Sequence, residues 1–219
     1  MDLEARKDRL IEAILPHAAF DGWSRLSLLA AAEDIGRDAS EAEGLFPGGA
    51  PAMVAHFVAL ADRKLVEDLA AQGLGPASVG ERIFQAVRLR LSRWNDHREA
   101  IRRAASVLSL PLNLPLAARL TWNTAGAIWL AVGDTSHDFA WYTKRATLAA
   151  VYSSTLLYWL DDGSEDCADS WAFLRRRLAD VRNLPKLRQR LEGMVKGGEL
   201  AAMARRLKAP ARRWGMPIR

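Results

Sequence analysis

Histidines, cysteines and clustered carboxylates are the groups through which a chain most often performs acid–base, metal or nucleophilic chemistry. Here their spacing serves none of these. His17, His56, His97 and His137 fall in separate stretches, and no Glu-x-x-His or His-x-x-x-His pattern brings two metal ligands to one helical face. Cys167 stands alone, which excludes an internal disulfide and a multi-cysteine metal site and suits a reducing compartment. Asp161, Asp162, Glu165, Asp166 and Asp169 crowd together without the spacing of a calcium loop. They read as a solvated corner in which Ser164 or Asp166 caps the helix carrying Trp171. No catalytic residue, metal site or cofactor is expected.

The elements behind these residues are helices. The chain has 219 residues, half of them hydrophobic and 26% charged, and is rich in Ala and Leu and poor in Val, Ile and Thr, which predicts an all-α fold. The uncharged runs Ala104–Ala118 and Ala146–Leu160 are shorter than the roughly 20 residues of a membrane-spanning helix. Helical spacing of Leu3, Leu10, Ile11, Ile14 and Leu15 predicts a first helix to about Ala19, and a second follows from Leu26 to Gly36. A short third opens on the capping box Ser40/Glu43, and a long fourth runs from Pro51 to Leu69. This layout resembles the three-helix DNA-binding head of TetR-type regulators. The short third helix offers Asp38, Glu41 and Glu43 against Arg37, whereas phosphate contacts require cations, so no nucleic-acid partner is expected.

Ser78 and Glu81 form a second capping box, opening a helix to about Arg103 with Ile83, Phe84, Val87, Leu91 and Trp94 as its stripe and Arg82, Arg88, Arg90 and Arg93 facing elsewhere. Pro111 and Pro115 interrupt the uncharged run that follows, so two short helical pieces are expected there. The helices Leu116–Val132 and Asp138–Leu160 are apolar nearly all round. With the helix that starts at Glu81 they carry more apolar surface than three helices in mutual contact need, and a cavity for an apolar ligand is the simplest use of the surplus. Its expected lining is Phe84, Val87, Leu91, Leu108, Leu112, Leu120, Ile128, Leu148 and Tyr152, closed by the Pro111–Pro115 segment. Residues 1–70, 78–183 and 184–219 are the expected head, ligand- and partner-binding, and tail regions.

Charge is unevenly spread. Residues 171–219 hold 14 basic and 3 acidic side chains, while residues 1–170 hold 17 and 23. In the tail, Leu187, Leu191, Met194, Val195, Leu200, Met203 and Leu207 form an apolar stripe opposite Lys186, Arg188, Arg190, Lys196, Arg205, Arg206 and Lys208, with a break at Gly197-Gly198. A basic amphipathic helix is a signature of binding to an anionic membrane surface. Lys186, Arg188, Leu191, Met194, Val195, Arg205 and Arg206 are its membrane-binding candidates.

Two runs carry a specific resemblance. Ser136-His137-Asp138-Phe139-Ala140-Trp141-Tyr142-Thr143-Lys144-Arg145 and the later Trp171-Ala172-Phe173-Leu174-Arg175-Arg176-Arg177 are similar to paired motifs of the Coq-nine family of ubiquinone-biosynthesis proteins. The resemblance implies a TetR-like helical fold that has lost DNA binding, with a three-helix head and a helical lipid-binding domain. It also implies a non-enzymatic accessory protein that binds isoprenoid quinone intermediates and presents them to a di-iron demethoxyubiquinone hydroxylase. Asp138, Trp141, Tyr142 and Arg145, at i, i+3, i+4 and i+7 on one helical face, would engage that hydroxylase. A homodimer is expected. With no signal or transit sequence at Met1–Asp8, the chain is expected to be bacterial and cytoplasmic, peripheral to the inner face of the membrane. A TetR-type regulator responding to a hydrophobic ligand is the alternative.

Overall fold

A computed structural model describes residues 2–73, 75, 77–133 and 139–196, with backbone alone for 139–141 and 183–196. The described residues are helical throughout: α1 Leu3–Asp21, α2 Arg25–Asp34, α3 Ala39–Leu45, α4 Gly49–Gln72, α5 Val79–Ser92, α6 Arg98–Ser109, α7 Leu114–Ala131, α8 Phe139–Leu160 and α9 Ala168–Lys196. Residues 1–178 form one compact unit and residues 179–219 a second. No single described helix is long and apolar enough to cross a membrane.

The helix starts follow local chemistry. Ser24 accepts from the amide of Ser27 to open α2, and Ser78 accepts from that of Glu81 to open α5. At α3 the cap is Asp38 rather than Ser40. Its carboxylate accepts from the amides of Ser40 and Glu41 and is held below the usual carboxylate range, first by the Ser40 hydroxyl and then by those amides. An Asp two residues ahead of the Ser takes the capping position because it presents a charge to the same orphan donors.

Between α5 and α6 the structure departs from the single helix expected from Ser78 to Arg103. The chain leaves α5 at Arg93, makes a 3-10 turn over Asn95–His97 and restarts at Arg98. Trp94 is buried there, its ring edge-on to Phe57 at 5.1 Å, and Phe57 also meets Trp23 at 5.5 Å. The indole of Trp23 donates to the Ala100 carbonyl at 2.8 Å, joining the head to α6. Leu10, Ile11, Ile14 and Leu15 of α1 complete this core, with α1 packed on α2, α4 and α6. Further along, α7 lies between α4 and α8.

Candidate functional site

Where α4, α5, α7 and α8 meet, apolar side chains surround four polar ones. Ile83, Phe84, Val87 and Leu91 are buried on α5, Ile128 on α7 and Leu148 on α8. Among them Arg90 is only 6% exposed, a correction to the expectation that it faces away from the stripe. Its Nε donates to Asp62 Oδ1 at 2.8 Å, Nη1 to the Tyr152 hydroxyl and Nη2 to the Val58 carbonyl at 3.4 Å. Thr124 donates to the other oxygen of Asp62 at 3.0 Å. Burial pulls the guanidinium pKa down, but Tyr152 and Asp62 outweigh it, so the group sits above its ordinary value. Burial pushes the Tyr152 phenol up against the pull of Arg90. Both therefore hold their protons, and the cluster is a fixed knot of donors rather than an acid–base pair. Arg90 lies three residues after Val87 and one before Leu91, so its place on the buried face was legible in the spacing.

Of the residues expected to line a cavity, Phe84, Val87, Leu91, Leu120, Ile128, Leu148 and Tyr152 are buried together, and Leu108 is half-buried. Leu112 is 95% exposed and cannot line an interior. Pro111 starts a 3-10 turn that carries Leu112 to its apex, so the Pro111–Pro115 segment points outward rather than closing over the helices.

The expected partner-binding face falls on α8. Asp138 lies outside the described residues, as does the side chain of Trp141. Tyr142 is 59% exposed, its ring 6.3 Å from that of Trp122 on α7. The Arg145 guanidinium sits 5.9 Å from the Trp122 ring, and Lys144 Nζ 5.4 Å from the ring of Trp129. Gly126 makes this approach possible, because a Cβ there would lie 2.7 Å from the guanidinium of Arg145. Cations laid over indoles beside an exposed tyrosine give a surface of mixed aromatic and positive character.

The acidic corner between α8 and α9 is solvated as expected at Asp161, Glu165, Asp166 and Asp169, and tied down at Asp162. Asp162 accepts from the amides and hydroxyls of both Ser164 and Ser170, which overcome the opposing effect of burial and hold its carboxyl at about 2. Asp161 pairs with Arg102 at 2.6 Å. Arg98 donates to the Asp162 carbonyl and to the sulfur of buried Cys167, and stacks 4.7 Å from the Trp159 ring. Asp166 and Cys167 take positive φ angles of 50° and 57°, and the Trp171 indole donates to the Asp166 carbonyl. The corner is therefore a joint.

Of the histidines, His17 meets Asp34 at 2.7 Å and His56 meets Asp8 at 2.6 Å. Glu4, Asp8 and His56 converge closely enough to hold a metal ion, a juxtaposition no sequence spacing revealed. The Arg63 guanidinium, also on Asp8, already supplies positive charge there. His97 lies beside the Trp94 ring, and His137 is outside the described residues. Helix α9 continues through Pro185 to Lys196. The side chains of Lys186, Arg188, Leu191, Met194 and Val195, and all of Arg205 and Arg206, lie outside the described residues.

Comparison with known proteins bears on this arrangement. The COQ9 family model matches residues 114–185, which span α7, α8 and the start of α9. The mitochondrial ubiquinone biosynthesis protein COQ9 of Drosophila melanogaster is 32% identical over 88% of this chain and 60% of its own length. Its Homo sapiens counterpart is 32% identical over 83% of this chain and 59% of its own. The chain thus spans about 60% of the length of these relatives. Their mitochondrial designation overturns the expectation of a bacterial, cytoplasmic protein, since the shared sequence does not follow that compartment. Among solved structures, a TetR transcriptional regulator from Nitrosomonas europaea superposes with a TM-score of 0.63 at 18% identity, covering 80% of this chain and 97% of the regulator. That likeness establishes a TetR-like all-helical fold. With the matched motifs on α8 and α9 and the identity that extends along most of the chain, the protein is similar in sequence to the COQ9 family.

Proposed function

We propose that this protein acts in ubiquinone biosynthesis as a non-catalytic accessory that binds isoprenoid quinone intermediates and presents them to a di-iron demethoxyubiquinone hydroxylase at an anionic membrane surface. The observation that carries the reading is the identity of about 32% with proteins named for ubiquinone biosynthesis, over 88% and 83% of the chain. The site geometry agrees with it. Arg90 and Asp62 neutralise each other, the phenol beside them keeps its proton, and Asp162 is taken up by Ser164 and Ser170, so these groups serve packing better than turnover.

The hydroxylase-binding role falls on the first turns of α8. Tyr142 there is exposed and backed by Trp122, and an aromatic held in place by its own fold loses little freedom on binding. The homodimer reading has support in α8 as well, where the apolar side chain of Leu157 is 59% exposed. The regulator alternative has the fold on its side but not the charge. Arg6 and Arg37 are both drawn to Glu41, and Arg25 pairs with Glu43, so the cations around α3 are engaged internally.

Trp141→Ala tests the partner assignment. It is expected to leave helicity and melting unchanged while weakening capture of the hydroxylase by roughly 2 kcal/mol or more, as loss of an interface anchor does. Normal capture by a folded variant removes α8 from the interface.

A further inference from the structure

The turn joining α6 to α7 is an apolar knuckle turned to the outside. Leu110, Leu112 and Leu114 are 55%, 95% and 54% exposed, and Pro111 and Pro115 between and after them are exposed as well. Three such leucines in five residues are a feature that water does not favour and that isolated surface leucines do not match. We propose that this knuckle is a membrane contact that inserts into the outer part of an anionic bilayer, separate from the basic tail.

Two further observations select a lipid surface as the occupant. The first is the handling of the backbone. Pro111 and Pro115 carry no amide, and the amides of Leu110, Asn113 and Leu114 donate to the carbonyls of Val107, Leu110 and Pro111. The Asn113 side chain donates to the Val107 carbonyl at 2.8 Å. Hydrocarbon demands that backbone groups be satisfied from within, and this turn spends most of its donors on itself, the Leu112 amide excepted. The second is charge. From residue 100 to residue 133 the sequence contains no carboxylate, only Arg102, Arg103 and Arg119. Glu99 just before this stretch is bridged by Arg102 at 3.2 Å and Arg103 at 3.4 Å, and Arg119 is exposed on the first turns of α7. Asp161 takes the other side of Arg102, so among the described residues the cation beside the knuckle that is not drawn to a carboxylate is exposed Arg119, which anionic headgroups would match. A protein partner would have to offer a concave apolar pocket to a convex tip, whereas a bilayer needs no matching shape.

The contact is independent of any lipid carried inside the protein. It is tested on the full chain in a Cys167→Ala background, with a polarity-sensitive fluorophore attached at Leu112→Cys or, as a control on the head, at Glu33→Cys. With vesicles of equal parts phosphatidylcholine and phosphatidylserine, the label at 112 should shift to the blue and be quenched by nitroxide on the lipid chains, while the label at 33 does neither. Unlabelled Leu112→Glu should melt as the parent does and bind the same vesicles about tenfold more weakly, the loss expected when one leucine no longer enters hydrocarbon. The proposal is overturned if the protein pellets with the vesicles while the label at 112 stays in water, or if the chain does not bind them at all. A blue shift that grows with protein concentration in the absence of vesicles assigns the knuckle to a second copy and overturns it equally.

Discussion

Arg90 carries a charge into a body otherwise built from apolar side chains, and what keeps it there is the completeness of its partners. Asp62 takes one face of the guanidinium, Tyr152 another, and Thr124 occupies the remaining oxygen of Asp62. Removing one member of such a set leaves an uncompensated buried charge, so Arg90→Met should destabilise the fold by about 3 to 5 kcal/mol in urea unfolding, with the Arg90→Met/Asp62→Leu pair recovering much of the loss. Asp162 works at the surface in a similar way. Its carboxyl is held at about 2 against an ordinary 3.8, so its contribution is fully present above 3.8 and is lost as pH falls through 2. Asp162→Asn should therefore flatten the acid limb of the stability profile between pH 4 and 2, read by circular dichroism. The residue types in this corner were visible from the start, but their roles were not. Sequence alone cannot show that Ser164 and Ser170 converge on one carboxylate, because the convergence depends on the positive φ of Asp166 and Cys167.

At the level of elements, the helices announced themselves through their stripes and caps. Ser78 and Glu81 opened α5 where the capping box placed it, and α7 begins at Leu114 with Pro115 in its first turn, where a missing amide costs nothing. The break between α5 and α6 was not legible, because no glycine or proline marks it. Its causes are tertiary: Trp94 turns in against Phe57, and Arg98 is drawn to Asn95, Asp162 and Cys167. The outward turn at Leu112 was likewise concealed, since an uncharged run reads as buried until neighbours are known. The head makes its own prediction. With Arg6, Arg25 and Arg37 paired to Glu41 and Glu43, the full chain should not retain random duplex DNA above background at about 0.1 M salt. Salt-dependent retention in a filter-binding assay would return the regulator alternative to consideration.

On the scale of the whole molecule, two asymmetries were readable before any helix was placed: an apolar middle and a basic tail on an acidic body. The paired motifs around Trp141 and Trp171 then pointed to the family, and the fold followed. Compartment did not follow, because the composition of Met1–Asp8 says nothing of where a chain resides, and relatives similar to it along most of the chain are named as mitochondrial. The proposed ligand site rests on the apolar side chains of α5, α7 and α8, where Ala127 and Ala149 are half-buried and small. The central claim is that this surface receives an isoprenoid quinone or its precursor. Mass spectrometry of the organic extract, from protein purified out of cells that make ubiquinone, tests it most directly. The account predicts an isoprenoid lipid close to one per chain, sharply reduced in Ala149→Trp. Folded protein that yields no such lipid would contradict it.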